Sequence, residues 1–259
     1  MRFKTFGGLC LNGDQVSAEI DYIDGASVRI ISQAADGQAL TWRAINGLLV
    51  STRILLWGCT YNDLDVQGLI NGRPMRFDGV DVTVRAPRLI HPQRGPNGPS
   101  EWDGILEAAK REKAPLSFPA ASFWGSDTPG PGTENTAAQA DDLMRCMCRC
   151  VNAYFSVCCE VANFSCGNYG WLPILEPVPI QPEEAEKGRR ITVWHNHMCL
   201  TGNLEDVSGY DLVLDSVRAW PLPDRYDEFF RPLGNKRFVI DRSALTRIHP
   251  AYEHGWDGQ

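Results

Sequence analysis

The chain has 259 residues, of which 43% are hydrophobic and 22% charged, and this balance excludes an intrinsically disordered protein. Its formal net charge of −7 argues against a general binder of polyanions, although a local basic face is still compatible with it. No apolar run approaches the roughly 20 residues that span a bilayer, so we expect no membrane span. The N-terminal sequence MRFKTFGGLCLNGDQ has no signal-peptide pattern, and we expect a cytoplasmic or virion-associated protein.

Short strands separated by turn signals are predicted for the first 90 residues. Residues 14–50 contain alternating or β-branched runs bounded by DG, ADG and NG turns, and STRILLWG then predicts a buried strand. YNDLDVQGL is compatible with one or two helical turns. NGRPMRFDGVDVTVRAP predicts a β-hairpin, because turn signals flank MRF and VDVTVR alternates with a period of two.

The clearest helix signal is SEWDGILEAAKREK, which opens with Ser100 as a candidate N-cap and an acidic first turn. Its apolar residues that share one face are Trp102, Ile105, Leu106 and Ala109. Residues 115–140 are irregular and rich in Pro, Gly and Ser, which indicates a functional or mobile segment. GWLPILEPVP then predicts a rigid strand, and QPEEAEKGRR, residues 181–190, predicts an exposed linker.

Cysteine use is unusual, because six of the nine cysteines lie between Cys146 and Cys166. An odd count without a signal peptide favours reduced thiols over a disulfide framework. The C-x-C-x-C spacing puts three thiols in an open row on one face of a strand, whereas zinc sites commonly space two ligands so that a loop wraps the ion. Ordinary burial explains one or two of these cysteines rather than six, and we predict no metal and no other cofactor.

Five motifs follow one another between about Leu55 and Pro177: LLWGCTYNDLDVQGL, INGRPMRFDGVDVTVRAP, EWDGIL, SFWGSD and GWLPILEP. In this order they resemble bacterial and phage proteins with a C-type-lectin-like fold, the broad group that includes formylglycine-generating enzymes. The last motif is similar to the closing G-[FW]-R-P-x-L-E-P strand of that group, with Leu172 where Arg is usual. The resemblance implies a C-type-lectin-like ligand-binding domain over residues 45–180, after a β-rich N-terminal extension over residues 1–44.

Many members of this group are variable proteins of diversity-generating retroelements, in which error-prone reverse transcription of AAY codons randomises a segment just before the closing strand. The resulting NNY codons never encode Lys, Glu, Gln, Met or Trp. In the segment from Cys146 to Tyr169, only Met147 and Glu160 fall outside this set. Tyr and Phe supply rigid contact area while Ser and Asn adapt their hydrogen bonds, so the composition also suits a binding surface. Drift in a cysteine-tolerant β region is the alternative explanation.

The resemblance therefore implies that residues 146–169 display a diversified surface for a protein or cell-surface ligand. The predicted ligand-binding residues are Cys146, Cys148, Cys150, Asn152, Tyr154, Phe155, Ser156, Cys158, Cys159, Asn163, Phe164, Ser165, Cys166, Asn168 and Tyr169.

After the linker, RITVWHNHMCLTGNLEDVSGYDLVLDSV and RFVIDRSALTRI resemble an Sm-like, Hfq-type small β-barrel. In that family a strand pair with a central Gly precedes a Φ-D-x-Φ-Φ-L strand and a closing strand, and Gly202, Tyr210–Leu214 and Phe238–Ile248 occupy those places. The resemblance implies a barrel over residues 191–250, followed by a tail over residues 251–259, that joins several copies into a homo-oligomer. Any five-stranded SH3-like barrel is the alternative.

We therefore expect an α+β, mostly β chain with a C-type-lectin-like domain and a small Sm-like or SH3-like barrel, acting as a non-enzymatic ligand-binding variable protein. The alternatives are an Sm-like RNA-associated protein and a Cys-dependent oxidase or metal-binding protein of the formylglycine-generating type. His195 and His197 share a strand face and could contact metal or RNA, but exposed strand histidines are the more ordinary reading. The adjacent pair Cys158 and Cys159 suits an oxidase poorly, because neighbours on a strand point to opposite faces.

Overall fold

In the computed structural model, the described residues are 3–90, 99–111, 116, 118, 121–127, 144–151, 154–195, 198–220 and 229–253. The chain divides into two compact units, one of residues 1–75 and 83–176, the other of residues 76–82 and 177–259. Strands predominate in both units, so the mostly β, α+β prediction is confirmed at the level of fold class.

The strands up to residue 177 are short, and their order along the chain is as follows. They are β1 (Phe3–Thr5), β2 (Gly8–Leu11), β3 (Asp14–Val16), β4 (Ile20–Asp21), β5 (Val28–Ile31), β6 (Thr41–Ile45), β7 (Leu48–Ser51), β8 (Leu56–Trp57), β9 (Arg73–Phe77), β10 (Val80–Arg85), β11 (Ser122–Trp124), β12 (Met144–Val151), β13 (Tyr154–Val161), β14 (Tyr169–Trp171) and β15 (Ile174–Pro177).

These strands pair mainly antiparallel. One six-stranded sheet has the order β1-β6-β7-β15-β10-β9, a second has the order β13-β12-β11-β14-β8-β4, and a three-stranded sheet has the order β3-β2-β5. Two pairs of neighbouring strands are parallel: β11 with β14, and β4 with β8. The segment predicted to bind ligand, residues 146–169, belongs to the second sheet. Along the chain it lies after β11 and ends at the first residue of β14, and β15 follows β14.

Tight hairpins follow from the NG and DG signals in the sequence. Asn46 and Gly47 between β6 and β7 have φ of 50° and 80°, and Asp78 and Gly79 between β9 and β10 have φ of 50° and 77°. Two successive positive φ values define the type I′ turn, whose twist matches that of paired strands. The predicted β9–β10 hairpin is therefore confirmed, together with the turn chemistry that fixes it.

Both predicted helices are present, α1 (Tyr61–Asp65) and α2 (Glu101–Arg111). Thr60 caps α1 and Ser100 caps α2, each with a hydroxyl that accepts the backbone N–H of an Asp three residues later. These reciprocal capping boxes satisfy N–H groups that the first turn leaves without a partner. The buried face of α2 consists of Trp102, Ile105, Ala108 and Ala109, and Leu106 is partly buried at its edge.

The core of the first unit lies between α2 and the two six-stranded sheets. It includes Val50, Ile54, Trp102, Ile105, Phe118, Phe123, Cys148, Leu172 and Ile174. Leu172, between β14 and β15, is fully buried in this cluster and packs there as an apolar residue.

Arg85 ties three elements of the first unit together. Its guanidinium is 2% exposed and donates to Glu101 of α2 through Nη1 at 2.8 Å and to Glu176 of β15 through Nε at 2.6 Å. A buried cation needs opposite charges and hydrogen-bond acceptors around it, and the two carboxylates supply both. The pairing fixes the position of β15, which follows the segment of residues 146–169 that is predicted to bind ligand.

The second unit contains the strands after Pro177. They are β16 (Arg190–His195), β17 (Met198–Val207), β18 (Asp211–Trp220), β19 (Phe230–Gly234), β20 (Arg237–Asp241) and β21 (Arg247–Pro250). They form an antiparallel sheet in the order β19-β20-β18-β17-β16-β21, in which the last strand returns to pair with β16. Its core contains Ile191, Val193, Leu200, Leu204, Leu212, Leu214, Phe230 and Ile240.

The boundaries of the units differ from the predicted ones. The proposed division between residues 1–44 and 45–180 would cut β6, which pairs with β1 on one side and β7 on the other. Residues 181–190 are not a free linker, because the Gly188 N–H donates to the Leu204 carbonyl and the Leu204 N–H donates to the Arg189 carbonyl. Polar composition indicated solvent exposure at this segment, but it carried no information about these backbone bonds.

None of the helices in the described ranges has the length and apolar character needed to cross a membrane.

Candidate functional site

The candidate segment begins as a two-stranded ribbon. Strands β12 and β13 pair antiparallel over eight successive positions, from Met144 opposite Val161 to Val151 opposite Tyr154. On its other side β12 pairs with β11, where Phe123 lies opposite Cys148. The ribbon is thereby held by the backbone, and this pairing does not depend on which side chains it carries.

One face of this ribbon belongs to the core. Cys148 is 1% exposed and lies in the cluster with Phe123, while Val157 and Val161 of β13 pack against the same cluster. Cys148 is therefore wrongly predicted as a surface residue. The cysteine is small and apolar enough to fill a core position, and spacing alone could not tell which face of the strand meets the core.

A loop of residues 162–168 connects the ribbon to β14 and exposes most of its side chains. Asn163, Phe164, Ser165 and Asn168 are exposed, and Cys166 is half-buried with its thiol 2.9 Å from Oδ1 of Asn168. The described side chains of this loop carry no charge. It offers amide, hydroxyl and aromatic groups on one short stretch of surface.

The backbone of this loop is anchored at both ends. The Asn62 N–H of α1 donates to the Ala162 carbonyl, and the Ser122 N–H of β11 donates to the Asn168 carbonyl. In the middle, Ser165 Oγ donates to the Gly58 carbonyl at 2.6 Å. The exposed side chains of Asn163, Phe164 and Asn168 make none of these anchoring bonds. Substitution of those three residues therefore leaves the anchoring bonds in place.

Below the loop, aromatic rings form a continuous support. Phe164 lies 5.4 Å from Tyr169, Tyr169 lies 6.0 Å from Trp124 at 90°, and Trp124 lies 6.0 Å from Tyr61 at 81° between ring centroids. Trp124 Nε1 donates to the Cys59 carbonyl at 2.9 Å. Edge-to-face contacts of this kind stabilise a fixed arrangement of rings. Only Phe164 of the four is exposed.

Tyr169 is wrongly predicted as a ligand-contacting residue, because only 7% of it is exposed and its ring lies against Trp124. The supporting residues Tyr61 and Trp124 were not predicted to belong to the site. Their signal in the sequence was their place in the motifs TYND and SFWGSD, which gave the order of elements but not their proximity.

Of the other predicted ligand-binding residues, the structure describes the side chain of Cys158 alone. Cys158 is half-buried on β13. The side chains of Cys146, Cys150, Tyr154, Phe155, Ser156 and Cys159 lie outside the described side chains, and Asn152 lies outside the described residues altogether.

Two described cysteines outside the candidate segment, Cys10 and Cys59, lie in surroundings that favour the thiol. Burial raises the pKa of Cys59 to about 12, and burial also raises the pKa of Cys10. A reactive cysteine needs the opposite, a lowered pKa that populates the thiolate. Among the residues that the structure describes, no group of three or more His, Cys, Asp or Glu is placed to hold a metal ion.

No protein-family model, curated protein or solved structure matches this chain.

Several basic side chains of the second unit are paired with neighbouring carboxylates. The pairs, all between described residues, are Lys187 with Asp206, Arg231 with Asp211, Arg237 with Glu205 and Arg242 with Glu183. Nucleic-acid affinity arises mainly from Lys and Arg that neutralise phosphates. Cations already held by carboxylates are poorly available for that role.

His195, one of the two histidines singled out in the sequence, is at the end of β16. Its ring lies 4.9 Å from that of Phe229, and Nδ1 is 2.6 Å from the Ala244 carbonyl. These contacts belong to the packing of the second unit. His197 and the intervening Asn196 lie outside the described residues.

Proposed function

We propose that this chain is a ligand-binding variable protein that presents a diversified surface on a C-type-lectin-like scaffold. The proposed surface comprises the loop of residues 162–168 together with the remaining predicted positions of the β12–β13 ribbon. Cys148 and Tyr169 are excluded from it, because they are buried. The ligand is a protein or another molecule of a cell surface.

The proposal rests on one observation: the bonds that hold the loop of residues 162–168 do not involve the side chains of Asn163, Phe164 and Asn168, which are exposed. The Asn62 and Ser122 N–H groups hold its backbone at both ends and the Ser165 hydroxyl bonds to the Gly58 carbonyl, so Ser165 belongs to the anchor, while the exposed side chains of Asn163 and Phe164 take no part. A diversified surface requires this separation, because random side chains must not endanger the fold. The exposed residues also belong to the types that NNY codons encode.

Phe164 gives the surface an aromatic centre. It is 42% exposed, and Tyr169 supports its ring from below. An aromatic side chain held in place loses little conformational freedom on binding, so it contributes more affinity than a mobile one. Polar neighbours such as Asn163 and Asn168 can then select the partner by hydrogen bonding.

Assembly through the second unit is the other part of the proposal. In the order β19-β20-β18-β17-β16-β21, the outer strands of the described sheet are β19 and β21. An Sm-like barrel would join copies by pairing such strands head to tail, and several surfaces on one assembly would increase avidity. Leu233 of β19 is 52% exposed and is suited to this contact. Pro232 and Pro250 limit the length of ladder that the two strands can offer.

The DNA that surrounds the coding sequence provides the first test. We expect a near-identical repeat of the codons for residues 146–169, beside a reverse-transcriptase gene, that differs at adenine positions. Differences spread evenly over all four bases would contradict the variable-protein proposal.

Protein stability provides the second test. The triple variant Asn163→Asp, Phe164→Asn, Asn168→Tyr changes only exposed side chains. Each Asn change is expected to cost less than about 0.5 kcal/mol, and loss of the Phe164 contact with Tyr169 about 0.5–1.5 kcal/mol. Tyr169→Asn is the matched control one position away, and loss of its buried ring is expected to cost roughly 3–5 kcal/mol. Thermal unfolding distinguishes the two, and a triple variant as unstable as Tyr169→Asn would contradict the proposal. Binding of the full chain to bacterial cells, measured by flow cytometry, should be lost in the triple variant.

Light scattering tests assembly separately. The full chain should have a mass of several protomers, and Leu233→Lys should reduce it by placing a charge in the contact. A monomeric full chain would contradict the assembly role and leave the binding surface untouched.

A further inference from the structure

A polar cleft lies in the first unit, away from the candidate loop. Its volume is about 280 Å³, and the polar residues that line it are Ser17, Gln38, Thr41, Ser51 and Arg53. Sites for small molecules commonly occupy roughly 300–1,000 Å³, so this cleft suits a ligand at the small end of that range.

Glu19, beside this cleft, has an unusual backbone conformation. Its φ is 64°, in the left-handed region that side chains other than those of Gly, Asn and Asp rarely adopt. The N–H groups of Glu19 and Ile20 both donate to the Leu55 carbonyl, which holds this conformation in place. Glu19 lies outside the hairpin turns that account for positive φ at residues such as Asn46 and Asp78. Strained backbone of this kind occurs preferentially at binding sites.

Glu19 follows Ala18, which lines the cleft, and its carboxylate pairs with Arg53, which also lines the cleft. Arg53 Nη1 donates to Glu19 Oε2 at 3.1 Å, and the two side chains are 61% and 47% exposed. Exposed ion pairs contribute little to stability, so this pair gives no adequate structural reason for the strain. Among described residues, Nε and Nη2 of Arg53 make no hydrogen bond, and they remain able to donate to a ligand.

We propose that this cleft binds a free α-amino acid, with the ligand carboxylate on Arg53 and the ligand ammonium on Glu19. A guanidinium binds a carboxylate through paired N–H donors, and a carboxylate binds an ammonium by a charge-assisted hydrogen bond. A simple anion meets repulsion from Glu19, and a simple cation meets repulsion from Arg53. A molecule that carries both charges on one carbon satisfies both residues, and the cleft beyond them has room for a small side chain.

The test uses the full chain and isothermal titration with L-alanine, L-serine and L-leucine. We expect saturable binding of at least one of them, and at least tenfold weaker binding of its N-acetyl and methyl ester derivatives, each of which lacks one charge. Arg53→Gln and Glu19→Gln should weaken binding by a similar factor. Arg76→Gln, which breaks the exposed ion pair with Asp81, is the matched control and should leave it unchanged.

Glu19→Gly separates a binding role from a structural one. Gly adopts positive φ without strain, so this variant should unfold at a higher temperature than the parent while losing amino-acid binding. A lower melting temperature would overturn the argument from strain. Absence of saturable binding by all three amino acids, or equal binding of the N-acetyl derivative, would overturn the proposed ligand. Neither result bears on the loop of residues 162–168, whose proposed function has separate tests.

Discussion

His249 makes the stability of the second unit depend on pH in a way that can be calculated. The ring is completely buried in β21, where Nε2 accepts from Trp194 Nε1 at 3.0 Å and Nδ1 donates to the Pro250 carbonyl at 2.7 Å. Both ring nitrogens are thus satisfied in the neutral form. Burial lowers the pKa of His249 from 6.5 to about 4.

The sign follows from the two states. Below pH 6.5 the unfolded chain takes up a proton at His249, whereas the folded chain stays neutral until about pH 4. Stability that is present above pH 6.5 is therefore lost as the pH falls, by up to about 1.4 kcal/mol per pH unit. Over the interval from 6.5 to about 4 the loss amounts to roughly 3 kcal/mol. A protonated Nε2 would also meet the Trp194 N–H donor to donor.

The perturbation that tests this is His249→Gln, which keeps an acceptor for the Trp194 N–H but cannot titrate. Free energies of unfolding are measured in urea at pH 7.5, 6.0 and 5.0, with hydrogen exchange of peptides from β16 to β18 reporting on the second unit. The variant should be less stable at pH 7.5, because an amide fills the site of the ring poorly, but its loss of stability towards pH 5.0 should be smaller by about 1–2 kcal/mol.

Thr201→Val serves as the control, because Thr201 is a buried polar residue of the same sheet that does not titrate, so this substitution should retain the pH dependence of the parent. The reasoning would be refuted if His249→Gln lost as much stability between pH 7.5 and 5.0 as the parent chain. Other groups, rather than the buried imidazole, would then be responsible for the acid sensitivity.

Three further substitutions test the packing within each unit. Arg85→Met removes the cation between Glu101 and Glu176 and should cost roughly 3–5 kcal/mol, measured by urea unfolding. Gly202→Ala places a Cβ within 2.7 Å of a backbone oxygen on β18 and should cost roughly 1–3 kcal/mol, read from the melting temperature. Ser100→Ala removes the N-cap of α2 and should cost about 1 kcal/mol in the same assay.

Each of these three predictions would be contradicted by a specific result. A stable Arg85→Met protein would mean that the carboxylates find other partners or take up protons in the folded state, and release of protons on unfolding would reveal the second case. A neutral Gly202→Ala change would mean that β17 and β18 can move apart at the register shift near Thr201. Gly104→Ala in α2, where an added Cβ meets open space, is the favourable control for Ser100→Ala.

Local structure was determined largely by the sequence itself. The pairs Asn46-Gly47 and Asp78-Gly79 predicted turns because those residue types tolerate positive φ, and the hairpins are there. Ser100 and the acidic first turn predicted the start of α2, because the cap depends on atoms only three residues apart. The mostly β class followed in the same way, from many short signals that do not depend on distant residues.

The candidate segment could be located from the sequence, but its exposed and buried residues could not be separated. Alternation along β12 assigns residues to two faces and does not state which face meets the core. Cys148 lies on the buried face only because Phe123 and α2 cover it, and both are distant in sequence. The same ambiguity made Tyr169 resemble a surface residue, although Trp124 covers its ring.

Tertiary structure alone decided the limits of the units and the proximity of groups far apart in the chain. The segment around Gly188 reads as a polar linker, yet its backbone pairs with Leu204. Glu19 and Arg53 are unrelated charges in the sequence, yet in the fold they form an ion pair beside a cleft that Arg53 lines. The physical reason is the same in both cases: the deciding contacts are long-range, and residue type and periodicity describe only what neighbours along the chain prefer.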